Sequence, residues 1–322
     1  MPCLFCNSDT ELTEEHTFPA AIGGGEVLPK GTCKACNGRF SQEFEEEFVR
    51  GLTPVRYLLQ VPDRRGKVPN LKAAVTVEGK GHTAKILAGG EVKIPPVRIE
   101  MKTESGGTEI IYRTFSKEDA QRLKQNVEKK GYKLEEAPIG TIAQEFHAEV
   151  YVPFDFIGAN SALRTVAKIA LVSLALRAGE KLAGADTFTS TRDFISSGTG
   201  KSPARLFLNE NFRKSFHIGP HQHALVLTGE RKTNGVYAVV VIFGGLSYFI
   251  HLSNVYEGAD FNYTYAYNAQ KAERCEVLVS NEQNEFLLVH DVMEGATAWG
   301  DVCSSADSFM TFLSGALGFT FG

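Results

Sequence analysis

CLFCNSDTELTEEHTFP, residues 3–19, and CKACN, residues 33–37, decide how this chain is read, because two Cys-x-x-Cys pairs bracket a short stretch of acids and a histidine. Two thiolates three residues apart can occupy adjacent vertices of a tetrahedron, and two such pairs close the shell around one Zn²⁺. Cys3, Cys6, Cys33 and Cys36 are therefore expected to hold a structural zinc, with no vertex left open for substrate. In a segment of some 50 residues with little core of its own, that ion is expected to supply much of the folding free energy.

The zinc accounts for the cysteines but not for what lies between them. Glu15 and His16 are adjacent and are followed by Pro19 and a Gly23-Gly24-Gly25 turn; Asn37 comes directly after the last cysteine of the pairs. Phe40, Phe44 and Phe48 then recur at every fourth residue, the stripe of a helix beginning near Cys36 or Asn37. In order and spacing these residues resemble the HNH, or ββα-metal, endonucleases, most closely the branch in which two Cys-x-x-Cys pairs bracket an acid-His-x-x-Pro segment and Asn follows the last Cys. The resemblance covers about the first 50 residues.

The resemblance implies a site. Glu15 stands where the family has a ligand to a catalytic divalent cation, His16 where a histidine acts as general base on water, and Asn37 where His or Asn completes the metal site from the helix. Mg²⁺ or Mn²⁺ suits the oxygen ligands of Glu15 and Asn37. Adjacent residues point to opposite faces of a regular strand, so Glu15 and His16 are expected at an irregular strand end. The family's middle asparagine has no counterpart in EVLPKGT, residues 26–32; a backbone carbonyl near Leu28 is the candidate to orient His16 instead. Glu43 and Glu46 are read as solvated helix acids.

Charge changes sign along the chain. Residues 1–50 hold four Lys/Arg against nine Asp/Glu, a net of −5, whereas residues 51–103 hold ten against four, a net of +6. An acidic module needs help to approach a polyanion, and Arg64, Arg65 and Lys67 in PDRRGKVPNLK are the candidate phosphate contacts. The whole chain, 322 residues at −4, has no global basic signature. No apolar run approaches the roughly 20 residues of a membrane span, and MPCLFC has no signal-peptide character, so a cytoplasmic location is expected. A reducing compartment favours metal thiolates over disulfides, and leaves Cys275 and Cys303 as small buried side chains.

Beyond the first module the pattern is mixed. Alternating runs from Lys72 to Phe115 read as strands, and SKEDAQRLKQNVEKKG reads as a helix capped by Ser116 and stopped at Gly131. A long helix from about Ser161 to Leu182 is apolar on most faces except at Arg164, Lys168 and Arg177, so it belongs in a core. HALVLTGE, GVYAVVVIFGG, LSYFIHLS, CEVLVS and EFLLVHD read as strands, and Ser304 to Leu317 as a closing helix. HIGPHQH, with His217, His221 and His223, lacks a further ligand at metal spacing, and TRDFISSGTGKSPAR lacks the spacing of a phosphate loop. The expected architecture is α+β: a zinc-stabilised ββα-metal module over 1–50, a basic connector and β-rich region over 51–145, and an α+β recognition or sensor region over 146–322.

The expected function is a metal-dependent HNH endonuclease acting on DNA, with a role in phage defence or restriction by analogy. An enzyme that cuts both strands often works as a dimer, so a homodimer is among the partners considered; the identity of any small-molecule activator is not legible. Two other classes stay open: a zinc ribbon that binds nucleic acid without cutting, and a ligand-sensing C-terminal region that uses the nuclease as its effector.

Overall fold

A computed structural model describes residues 2–77, 80–88, 91–102, 108–114, 116–131, 148–149, 155–208, 216–275, 278–279, 298–299 and 302–318. The chain forms two compact units, one made of residues 1–68 together with 153–322 and one of residues 69–152. The sequence placed its divisions near 50 and 145. In the structure the first segment shares its core with the last.

The first unit opens with two strands, β1 (Leu12–His16) and β2 (Val27–Cys33), paired antiparallel. Their register runs Leu12 to Cys33 and Thr13 to Thr32, then shifts, so that Glu15 faces Leu28 and His16 faces Val27. The irregularity lies just before the acid-histidine pair, which itself stays in regular register with Leu28 and Val27. Helix α1 (Lys34–Phe40) follows at once, with Cys33 as its N-cap accepting from the Cys36 N–H. A π-helical turn over Ser41–Glu45 leads into α2 (Glu46–Gly51), and α3 (Thr53–Leu58) carries Pro54 in its first turn. Phe40, Phe44 and Phe48 are fully buried, as their spacing predicts.

The second unit carries β3 (Leu71–Val77), β4 (Lys80–Ile86), β5 (Val92–Lys93), β6 (Val97–Lys102), β7 (Thr108–Arg113), α4 (Lys117–Glu128) and β8 (Ala148–Glu149). One sheet has the order β5-β4-β3-β8, and β6 and β7 form a separate antiparallel pair. Ser116 caps α4 by accepting from the Asp119 N–H at 3.0 Å, and Gly131 ends the following turn at φ +83°. A small cluster of Val75, Ala84, Ile94 and Val97 is its core among the described residues.

The remainder of the first unit is built on α5 (Asn160–Ala178). Gly179, at φ +102°, ends it four residues before the expected limit of the helix, and a short α6 (Glu180–Ala183) follows. After α7 (Thr189–Ser197) come β9 (Ala204–Leu208), β10 (Phe216–His217), β11 (Gln222–Glu230), β12 (Gly235–Ile242), β13 (Leu246–Ser253), β14 (Phe261–Asn268), β15 (Glu273–Cys275), β16 (Leu278–Val279), β17 (Ala298–Trp299) and α8 (Val302–Leu317). Seven of the strands make an antiparallel sheet in the order β15-β14-β11-β12-β13-β9-β17. Leu225, Leu227, Val240, Ile242 and Ile250 belong to the core that also holds α5 and the three phenylalanines. Their neighbours Val226, Val239, Val241 and Phe249 form a second cluster, as alternation along a sheet buried on both faces dictates.

The reading of EFLLVHD as a strand falls on residues outside the described ones, as does most of HAEVYVPFDF. Cys303, expected to be buried, is exposed on α8, because the apolar stripe of that helix runs through Phe309 and Leu313 instead. Among the described residues no helix is long and apolar enough to cross a membrane.

Candidate active site and metal centre

Cys3, Cys6, Cys33 and Cys36 bring their four sulfurs within 4.8 Å of one another, with Cys6 and Cys33 at 3.6 Å. A tetrahedral zinc with bonds of about 2.3 Å sets its sulfurs roughly 3.8 Å apart, so the cluster can hold that ion. The backbone around it is satisfied: the Cys3 N–H donates to Ser8 O, the Leu4 N–H to Gly31 O, and the Cys36 N–H to Cys33 Sγ. Burial pushes the Cys3 and Cys36 thiols up, the second helped by the Cys6 sulfur.

Just after the bulge, which lies on β2 opposite residue 14, Glu15 points inward with only 3 % of it exposed, and His16 is half-buried. Asn37, on α1, donates from its amide nitrogen to Thr13 Oγ1 at 3.1 Å, and that hydroxyl donates to Thr32 O at 2.9 Å. The short relay fixes the Asn37 amide and leaves its carbonyl oxygen as the end turned away from Thr13. Glu15, His16 and Asn37 all line one cleft of about 480 Å³, with Glu14, Pro19, Ser41, Glu45, Glu46 and Arg50 among its walls. A second cleft of about 550 Å³ shares Glu14, His16 and Ala20 with the first and adds Arg64, the Gly23–Gly25 turn and the 269–272 turn after β14. His16 therefore stands where the two clefts meet. The glycines are needed there, since a Cβ on Gly23 would come within 2.2 Å of Ala269 O and one on Gly25 within 2.1 Å of Ala272 O.

Two atoms in this arrangement have no protein partner although they are closed off from solvent: Glu15 Oε2 and His16 Nδ1. A buried polar atom left unpaired costs about 1–3 kcal/mol, and such exceptions call for a ligand, a water or a chemical role. Glu15 and Asn37 line one cleft, and a carboxylate with an amide oxygen is a donor set that suits a hard divalent cation. The Leu28 carbonyl expected to orient His16 does not bond its Nδ1, which is buried without a partner. Burial, then the charges of Arg64 and Lys168, hold the imidazole below its usual pKa, which keeps it in the neutral form a base requires.

The sequence reading missed the residue that anchors Glu15. Lys168, from the middle of α5 and 3 % exposed, places its ammonium 2.5 Å from Glu15 Oε1 and also bonds Glu45 Oε1. Burial disfavours that ammonium, but the two carboxylates outweigh it and hold its pKa above the usual lysine value. The other two cations of α5 behave alike: Arg164 bonds Glu43 at 2.8 Å and lies over the Phe44 ring, and Arg177 bonds Glu26 and lies over Tyr265. Glu43, read as a solvated acid, is exposed and is also ion-paired to Arg164. A signal was present, because three cations on an otherwise apolar buried helix need acids, and the first 50 residues carry the surplus.

The basic stretch divides. Arg64 lines the second cleft, whereas Arg65 and Lys67 are exposed beyond it and give their backbone N–H groups to Asp63 Oδ1 at 2.8 and 2.9 Å. Within HIGPHQH, His223 is a core residue rather than a ligand. Its Nε2 lies 2.7 Å from Ile22 O, its Nδ1 accepts from the Phe243 N–H at 3.2 Å, and its ring stacks on Phe18.

A family model described as HNH endonuclease matches residues 3–53, the segment that carries the four cysteines, Glu15, His16 and Asn37. No curated protein and no solved structure matches the chain.

Proposed function

We propose that the protein is a metal-dependent HNH endonuclease that cuts DNA at the junction of the two clefts. The observation that carries this reading is the pair of buried, unpartnered atoms, Glu15 Oε2 and His16 Nδ1, beside the Asn37 amide in the segment that matches the nuclease family. Glu15 Oε2 and the Asn37 amide oxygen would hold Mg²⁺ or Mn²⁺, which supplies positive charge against the phosphate oxygens where negative charge grows. The four cysteines would hold a zinc that ties β2 and α1, and so Asn37, in register with β1. Thr13 fixes the amide, and His16 takes a proton from water. The water oxygen bonds to phosphorus as the bond to the 3′ oxygen breaks, leaving a 5′-phosphate and a 3′-hydroxyl. Arg64, on the wall of the second cleft, contacts a neighbouring phosphate; Arg65 and Lys67 add charge farther out. A role in phage defence or restriction rests on the family resemblance alone, and a cytoplasmic location on the sequence expectation alone.

Supercoiled plasmid incubated with the zinc-loaded chain and Mg²⁺ or Mn²⁺ is expected to be nicked or linearised. EDTA and His16→Ala are each expected to stop the reaction. The Lys168 ion pair favours one competing reading, in which Glu15 serves only to bind the module to α5 and the protein holds nucleic acid without cutting. Plasmid that is bound in a gel-shift assay yet stays intact with either metal would support that reading and overturn the first.

A further inference from the structure

Lys168 lies in a helix that is apolar along most of its length, and burying an ammonium costs several kcal/mol unless charges answer it. Two do, Glu15 and Glu45, from separate elements of the N-terminal segment. An apolar residue at 168 with uncharged partners would fill the same space at no such cost, so stability alone does not account for the triad. What the triad does to the cleft is specific. A free carboxylate rotates and offers either oxygen; Glu15 has Oε1 held by Lys168 and only Oε2 left without a partner. The triad also sets the local charge: two carboxylates and one ammonium leave −1, where the carboxylates alone would leave −2.

We propose that Lys168 is a positioning residue of the candidate active site, its ammonium locking Glu15 so that Oε2 is the single oxygen offered to the divalent cation, and lowering the negative charge that the cation meets. The inference rests on the nuclease reading above. It assigns to α5, more than 100 residues away in sequence, a part in the chemistry of the N-terminal segment.

The test uses the zinc-loaded full chain, with Mn²⁺ binding read from the electron paramagnetic resonance signal of the free ion and plasmid cleavage read separately. In Lys168→Gln, Mn²⁺ is expected to bind about tenfold or more tighter, because the site gains one negative charge. Turnover at saturating Mn²⁺ is expected to fall about tenfold or more, because Glu15 is no longer fixed. A merely structural lysine moves both readouts down together with the folded fraction, and that result would overturn the proposal. Lys168→Arg is expected to recover turnover in part. Should Lys168→Gln not fold, Lys168→Gln with Glu45→Gln restores the charge of −1 with amides in place of the ion pair. This double variant is expected to bind Mn²⁺ like the parent and still cut about tenfold more slowly; cutting at the parent rate would sink the idea. If Glu15→Gln leaves Mn²⁺ binding to the parent chain unchanged, the nuclease reading itself fails, and the role of Lys168 falls with it.

Discussion

The cysteine cluster and the cleft beside it are built from the same two strands and helix, and they treat polar atoms in opposite ways. Around the four sulfurs every backbone donor named above has an acceptor, and four ligands stand ready to close a shell. In the cleft, a carboxylate oxygen and a ring nitrogen are buried with nothing to bond. A closed shell turns ligand binding into folding free energy. Open valences do the reverse, costing stability in exchange for atoms that can meet a cation or a proton.

The largest expected effect belongs to the closed site. Stripping zinc with a strong chelator should remove stabilisation on the order of 10 kcal/mol, enough to unfold the N-terminal segment. Calorimetry with and without chelator checks this, and an unchanged melting temperature would break the contrast at once. The open site should show the converse. His16→Ala is expected to change stability by no more than about 1 kcal/mol while lowering cleavage by roughly 10²- to 10⁴-fold. Urea unfolding beside the plasmid assay measures both, and a large loss of stability would place His16 among the structural residues.

His223 sharpens the comparison, since it is a buried histidine whose two nitrogens are both engaged. Burial lowers its pKa to about 4, below the ordinary histidine value. The folded state therefore binds the proton less readily than the unfolded one. Its contribution is fully present above about pH 6.5 and is lost as pH falls toward 4, a change of roughly 3 kcal/mol. Unfolding curves across that range should show the slope in the parent and lose it in His223→Gln. The smallest effect is at Arg64. Arg64→Ala should reduce the slope of log binding constant against log salt by about one, and Arg65→Ala by less, as measured on a plasmid-length duplex. Equal effects would mean that the second cleft has no special part in holding DNA.

The parts of the molecule legible in sequence are those set by short-range rules. Spacing of three announced the cysteine cluster, spacing of four the buried phenylalanines, and Ser116 with Asp119 the start of α4. Glu15 and His16 were expected at an irregular strand end; the register shift lies between Thr13 and Glu15, and the two residues themselves pair regularly. Long-range pairing was not legible. Lys168 was recognised as a break in an apolar helix, but no local rule says which acid an ammonium will find 123 or 153 residues away. For the same reason Glu45 was lost among the charges of EFEEEF. The turn at Ser41–Glu45 is π-helical, so the face that Glu45 presents does not follow from α-helical counting. The cores hold a similar lesson: the first 50 residues look self-contained by composition, yet their phenylalanines pack in the same cluster as α5 and the large sheet.

The four ion pairs between α5 and the first 50 residues carry a consequence for synthesis. A ribosome delivers Glu15, His16 and the four cysteines first, and Lys168 only after a further 153 residues have been added. At about 5–20 residues per second that is roughly 8–30 seconds, during which Glu15 has no ammonium to set its carboxylate. A nascent chain, or one truncated before α5, carries the whole segment that matches the nuclease family and lacks the helix whose lysine pairs with Glu15.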